Sequence, residues 1–129
     1  MQKIFDSSAV LAFLLDEPGS ETVRPDLADG RMSAVNAAEV MTVLIRNNMP
    51  ASEARAALIN TGLRILDFGL EQAVRSVELL SPQLRSRGIS LGDRACMAQA
   101  VAENLPVVTA DRNWIGLSVT GLQIELIRD

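Results

Sequence analysis

The chain has 129 residues, 48% of them apolar, which suits one compact domain with a core of its own. It contains no histidine and no tyrosine, and its single cysteine is Cys96, so histidine-based acid–base catalysis, histidine-ligated metal sites, cysteine-rich zinc sites and an internal disulfide are excluded. The net charge of −4 argues against binding of nucleic acid by bulk positive charge, although divalent cations bound to carboxylates would reverse the sign locally.

The predicted secondary structure alternates between strands and helices. In chain order we predict a strand at residues 2–5, helices at 9–15 and 21–28, a strand at 31–34, helices at 35–46 and 52–60, a strand at 63–67, a helix at 70–84, a helix from 90 to about 102, and strands at 105–109 and 123–127. Ser7 and Ser8 are the predicted N-caps of the first helix, and Ser90 and Asp93 form the predicted capping box of the last. The longest apolar run, residues 9–15, is too short to span a bilayer, so we expect a cytoplasmic protein without a membrane segment.

This alternation indicates an α/β fold in which parallel strands carry helices on both faces. In open sheets of this kind, ligands bind beyond the carboxyl ends of the strands. Asp6 directly follows the first predicted strand, and Asp111 follows the strand at residues 105–109. We therefore expect a functional site at this edge of the sheet.

Four acidic residues are the candidate site: Asp6, Glu39, Asp93 and Asp111. Each also has an ordinary explanation, since Asp6 and Asp93 could cap helices and Asp111 could form a local turn. Glu39 could be a solvated residue near a helix start, where the helix dipole favours it. As a set, however, two acids follow strands and two lie early in helices, and all four can face one crevice. Converging carboxylates repel one another without a cation, so the set indicates a site for a hard divalent cation such as Mg²⁺ or Mn²⁺.

The chain resembles the PIN-domain family through four segments that come in the family's order. They are residues 4–9 (IFDSSA), 33–40 (SAVNAAEV), 90–95 (SLGDRA) and 106–112 (PVVTADR). The resemblance extends over essentially the whole chain, and within the family it is closest to the VapC-type toxins of bacterial toxin–antitoxin pairs. It implies a single PIN domain over residues 1–129, with a five-stranded parallel sheet in a three-layer α/β/α arrangement.

The resemblance also implies an Mg²⁺- or Mn²⁺-dependent endoribonuclease that cleaves phosphodiester bonds with metal-activated water. Asp6 and Asp93 would bind the principal metal, and Glu39 and Asp111 would bind through water or hold a second ion. Thr109 matches a position where the family often places a hydroxyl near the site. Ser8 is a second supporting residue, which could orient water bound to the metal or simply cap the first helix.

The implied partners are RNA, a cognate antitoxin and a second copy of the chain. Arg94 and Arg112 each follow an acid of the site and are candidate RNA contacts, with a solvated or locally paired arginine as the alternative. Trp114 could stack on a base, although partial burial is favoured, and Cys96 is expected in the core. A set of apolar residues could furnish a dimer face or an antitoxin groove, with core packing as the alternative: Leu14, Leu15, Val40, Val43 and Leu44.

Two other functions stay open at this stage. A phosphoaccepting receiver domain shares the doubly wound sheet and an acid after the first strand. It also needs a lysine after a late strand, whereas the only lysine here is Lys3, in the first strand. The second alternative is a PIN-like RNA-binding subunit without catalysis, against which the complete acidic set argues.

Overall fold

The computed structural model describes residues 2–129, and five strands of this part of the chain form one parallel sheet. The strands are β1 (Ile4–Phe5), β2 (Arg31–Ser33), β3 (Arg64–Leu66), β4 (Val107–Thr109) and β5 (Ile124–Leu126). They lie in the order β3-β2-β1-β4-β5, and neighbouring strands are parallel. β1 is therefore the central strand, and its carboxyl end lies beside that of β4.

The helices cover both faces of this sheet, which confirms the predicted three-layer α/β/α fold. They are α1 (Ser7–Leu14), α2 (Ser20–Val23), α3 (Ala34–Arg46), α4 (Ala51–Asn60), α5 (Leu70–Glu78), α6 (Pro82–Ser86) and α7 (Leu91–Glu103). Single 3₁₀ turns occur at Arg24–Asp26 and Arg112–Trp114.

The core is divided by the sheet into two clusters. Successive strand residues point to opposite faces, so Phe5 packs with residues of α1 to α4 while Ile4 packs with residues of α6 and α7. Cys96 is fully buried in the second cluster, as expected. Trp114 is also fully buried there, so the suggested stacking of Trp114 on an RNA base is wrong.

Only some of the five apolar residues suggested as a dimer face or antitoxin groove are accessible at the surface. Val40 and Leu44 are buried in the first core cluster, so for these two residues the alternative of core packing is confirmed and the partner face is wrong. Leu14, Leu15 and Val43 are half-buried. The helical period places Val40 and Leu44 on the side of α3 that faces the sheet.

Two helix predictions were wrong because of proline. The predicted helix at 70–84 is two helices, since Pro82 begins α6 and Ser81 caps it by accepting a hydrogen bond of 3.2 Å from the Leu84 N–H. In place of the predicted helix at 21–28, the α-helix ends at Val23 and is followed by the 3₁₀ turn that contains Pro25.

The start of α1 also differs from its prediction. Ser7 and Ser8 lie inside the first turn and are not N-caps; Asp6 occupies the N-cap position. The helix begins earlier because the chain leaves β1 at Phe5 with a single intervening residue.

The strand order contradicts the receiver-domain alternative. Receiver domains have the order 2-1-3-4-5, whereas β2 lies here between β1 and β3. None of the helices in residues 2–129 has the length and apolar character needed to cross a membrane.

Candidate active site

The four acidic residues are positioned around the carboxyl edge of the sheet. Asp6 directly follows β1, and Asp111 lies just beyond β4, the strand paired with β1. Asp93 lies in the first turn of α7, and Glu39 lies in the second turn of α3. Parallel pairing of β1 with β4 brings Asp6 and Asp111 to the same edge of the sheet, as expected from the sequence. That the four acids form one site stays a prediction.

Asp6 is the most buried acid of the site, with only 3% of its surface exposed. Its Oδ2 accepts hydrogen bonds from Ser8 at 2.6 Å and from Thr109 at 2.8 Å, while its Oδ1 is buried without a partner. Burial raises the pKa of Asp6 to about 6; the two hydroxyl bonds oppose this rise, and the carboxylates of Asp93 and Glu39 add to it. Because the Asp6 side chain makes no capping bond to α1, helix capping does not explain this carboxylate.

The hydroxyls of Ser8 and Thr109 also bind the backbone that leads to Asp111. The N–H of Ala110 donates to Ser8 Oγ at 2.9 Å, and the N–H of Asp111 donates to Thr109 Oγ1 at 3.0 Å. Each hydroxyl therefore gives its proton to Asp6 and accepts a backbone proton. This arrangement orients the Asp6 carboxylate relative to the turn after β4.

Asp93 is a helix cap and an acid of the site at once. Its N–H donates to Ser90 Oγ at 3.1 Å, and its Oδ2 accepts from the Ser90 N–H at 2.9 Å, which confirms the predicted capping box. Partial burial raises the pKa of Asp93; the bonds from Ser90 lower it, and the nearby carboxylates of Asp111 and Glu39 raise it.

Glu39 is held by two residues that sequence reasoning missed. The side-chain amide of Asn36 donates to Glu39 Oε1 at 2.9 Å and to the Gly92 carbonyl at 3.0 Å. The Glu39 carboxylate lies directly against Gly92, where a Cβ would be 2.3 Å from Oε2. Two signals were available: the i, i+3 spacing of Asn36 and Glu39, and a glycine inside a helix, where it is unfavourable without a specific reason.

Asp111 forms a local turn, which is the alternative role that the sequence suggested for it. Its Oδ1 accepts from the Asn113 N–H at 2.8 Å, and the Asn113 side chain donates to the Arg87 carbonyl at 2.6 Å. Arg112 is exposed, and Arg94 donates to the carbonyl of Ser76 at 3.1 Å. Their roles as RNA contacts stay predictions.

The acids are close enough to influence one another. Asp93 and Glu39 raise the pKa of Asp6, and Asp6, Asp93 and Glu39 all contribute to the raised pKa of the buried Cys96 thiol, whose first cause is desolvation. Even so, no group of three Asp, Glu, Cys or His side chains within residues 2–129 is placed so that it could hold a metal ion. Mutual repulsion is expected to hold carboxylates apart.

The residues nevertheless fit a hard divalent cation. Asp6 Oδ1 is a buried carboxylate oxygen without a hydrogen-bond donor, which is costly unless a cation or proton compensates it. The side-chain atoms available as metal ligands are carboxylate and hydroxyl oxygens, which Mg²⁺ and Mn²⁺ prefer. Asp6, Asp93, Glu39 and Asp111 are the residues that would hold it.

Comparison with solved structures identifies the fold. A toxin–antitoxin complex from Klebsiella pneumoniae has a TM-score of 0.70 at 19% identity, covering 93% of this chain and 94% of that one. VapBC2 from Rickettsia felis, bound to a promoter DNA fragment, has a TM-score of 0.71 at 19% identity, covering 98% of each chain. Mycobacterium tuberculosis VapC20, a toxin that cleaves the sarcin–ricin loop, has a TM-score of 0.71 at 16% identity, covering 95% of this chain and 99% of that one.

Sequence comparison identifies the family. No curated protein matches the chain. The family model of the PIN domain matches residues 3–118, which include all four acids of the site. The resemblance found in the four sequence segments is thus confirmed, and the chain belongs to the PIN-domain family.

Proposed function

We propose that this PIN domain is an endoribonuclease that requires Mg²⁺ or Mn²⁺ and acts as the toxin of a toxin–antitoxin pair. One observation carries the proposal: Asp6 is buried at the carboxyl edge of the sheet, its Oδ1 has no partner, and Asp93 and Glu39 lie near enough to raise its pKa. A carboxylate in that setting is stabilised by a cation. The chain has no histidine, and hydrolysis by metal-activated water does not require one.

All four acids have a role in binding the cation. Asp6 and Asp93 would hold the principal ion, with Glu39 and Asp111 as the residues that would bind it through water or hold a second ion. When bound, the ion would lower the pKa of water and stabilise negative charge on the phosphate. Ser8 and Thr109 both donate to the Oδ2 of Asp6, so Oδ1 is the oxygen of this carboxylate that has no hydrogen-bond partner and would be available to an ion.

RNA cleavage by the purified protein tests this proposal. We expect cleavage with Mg²⁺ or Mn²⁺ and none in EDTA, and we expect Asp93→Asn to lose at least about a hundredfold in rate, because several kcal/mol of charge stabilisation depend on the ion. The matched control is Asp67→Asn, since Asp67 is an exposed aspartate that follows β3 but lies outside the acidic set. Full activity in EDTA, or equal losses in both variants, would refute the metal mechanism.

The toxin role rests on the similar structures, several of which are complexes of toxins with antitoxins. We propose RNA as the substrate, a cognate antitoxin as the inhibitor and the cytoplasm as the location. The neighbouring reading frame tests this directly. A short adjacent gene for a DNA-binding protein with a basic tail is expected, and co-expression of its product should abolish RNA cleavage.

We also propose a homodimer. Leu70, Val74 and Val77 form a row on α5 and are 82%, 50% and 59% exposed, and a second copy would remove this apolar surface from water. Sedimentation analysis should find a dimer for the parent and a monomer for Val77→Glu. A monomeric parent at micromolar concentration would contradict this part of the proposal.

A further inference from the structure

Asn36 is a fully buried polar side chain whose orientation is determined by its surroundings. Its amide nitrogen faces two acceptors, the Glu39 carboxylate and the Gly92 carbonyl, at 2.9 and 3.0 Å. The reverse orientation would place the amide oxygen against both acceptors, so only one orientation is compatible with the contacts. Asn36 Oδ1 then stays buried without a partner, which is a cost that the two donated bonds must offset.

Gly92 contributes the other half of this contact. It lies immediately before Asp93 in the first turn of α7, where a larger residue would meet the Glu39 carboxylate at 2.3 to 2.7 Å. The contact therefore requires a residue without a side chain. Glu39 consequently lies against the backbone of the helix that carries Asp93.

We propose that Asn36 is a positioning residue for Glu39, an inference that rests on the proposed metal-dependent function. Its two hydrogen bonds join the side chain of Glu39 to the start of α7. This keeps the Glu39 carboxylate beside the first turn of α7, the turn that carries Asp93. Gly92 makes room for the Glu39 carboxylate in that position.

Binding of Mn²⁺ to the apo protein, measured by EPR without RNA, tests the inference. Asn36→Leu removes both donors without adding charge, and we expect Mn²⁺ affinity to fall roughly 10- to 100-fold, as for other residues that orient metal ligands. The matched control is Thr61→Val, which also removes two hydrogen bonds of a buried side chain, outside the site. Thr61→Val should lower the melting temperature and leave Mn²⁺ affinity within about twofold.

Gly92→Ala separates positioning from folding. Alanine favours helix over glycine, and the obstructing group is the mobile end of the Glu39 side chain. We therefore expect the melting temperature in EDTA to stay constant or rise while Mn²⁺ affinity falls. A purely structural role of this contact would move both quantities in the same direction.

A double-mutant cycle shows whether Asn36 acts through Glu39. In a Glu39→Gln background, Asn36→Leu should cause little further loss of Mn²⁺ affinity. Additive losses, or an unchanged affinity in Asn36→Leu while Asp6→Asn abolishes binding, would overturn the inference and leave the proposed function intact. A parent that binds no Mn²⁺ and cleaves no RNA would overturn both.

Discussion

Ser90 and Asp93 exchange two hydrogen bonds at the start of α7, with Ser90 N–H donating to Asp93 Oδ2 at 2.9 Å and Asp93 N–H donating to Ser90 Oγ at 3.1 Å. The carboxylate that caps the helix is also an acid of the candidate metal site. The capping explanation of Asp93 is therefore confirmed, while its role in the metal site stays a prediction that capping does not contradict. Substitution of Asp93 changes the helix cap and the candidate site together. Substitution of Ser90 removes the hydroxyl that accepts from the Asp93 N–H, and it keeps both the carboxylate and the Ser90 N–H that donates to it.

Ser90→Ala should weaken the fold and the site. Loss of the cap is expected to lower the free energy of unfolding by about 1 kcal/mol. Ser81→Ala is the matched control, because Ser81 caps α6 away from the acids and should cost a similar amount. Denaturant unfolding should show similar losses in both variants, while Mn²⁺ titration should show weaker binding only in Ser90→Ala. Equal Mn²⁺ affinities in both variants would mean that the cap does not position Asp93.

Asp6→Asn should stabilise the metal-free protein at neutral pH. The pKa of Asp6 is raised from 3.8 to about 6, so the folded state binds a proton more tightly than the unfolded state. The resulting destabilisation is fully present above pH 6 and is relieved as the pH falls toward 3.8. The variant should gain up to about 3 kcal/mol in EDTA near pH 8, and this gain should shrink between pH 6 and pH 4. Thermal melts of both proteins across this range measure it.

Mn²⁺ should reverse the order of the melting temperatures, so that the parent melts above Asp6→Asn. An ion that binds the folded parent raises its melting temperature by mass action, whereas Asp6→Asn lacks a principal ligand and should barely respond. A variant that melts lower in EDTA and still gains the parent's full increment from Mn²⁺ would show that Asp6 is not a metal ligand.

Thr109→Val should weaken the site with little change in shape. The substitution removes the donor that reaches Asp6 Oδ2 at 2.8 Å and the acceptor for the Asp111 N–H. We expect Mn²⁺ affinity and the RNA cleavage rate to fall by roughly tenfold or more. Thr22→Val, at an exposed position outside the site, is the control and should leave both quantities unchanged. Wild-type affinity in Thr109→Val would show that the hydroxyl does not orient Asp6.

The antitoxin is expected to inhibit through a basic side chain. The acids concentrate negative charge at one edge of the sheet, where an arginine or lysine could occupy the place of the cation. Replacing that residue in the antitoxin tail should restore RNA cleavage while the two proteins still co-purify. If every such replacement leaves the nuclease inhibited, the antitoxin blocks the site by another route.

Local sequence determined most of the elements and indicated the edge of the sheet at which a site is expected. Hydrophobic periodicity, glycines and caps act over a few residues, and they predicted the alternating elements, the parallel fold and the capping box of Ser90 and Asp93. Because strands in such a sheet share one carboxyl edge, Asp6 and Asp111 could be assigned to one site. The break at Pro82 was also local, but the apolar pattern on either side of it favoured one long helix.

Tertiary structure decided how each acid is held, and which neighbours raise or lower the pKa of Asp6 and Asp93. Asn36 contacts Gly92 across 56 residues, and Thr109 contacts Asp6 across 103 residues. No periodicity or motif spacing specifies such contacts, because they depend on which side chains meet once the layers have packed. The complete burial of Trp114 and the raised pKa of Asp6 have the same origin, since removal from water is a property of the packed fold and not of the neighbouring sequence.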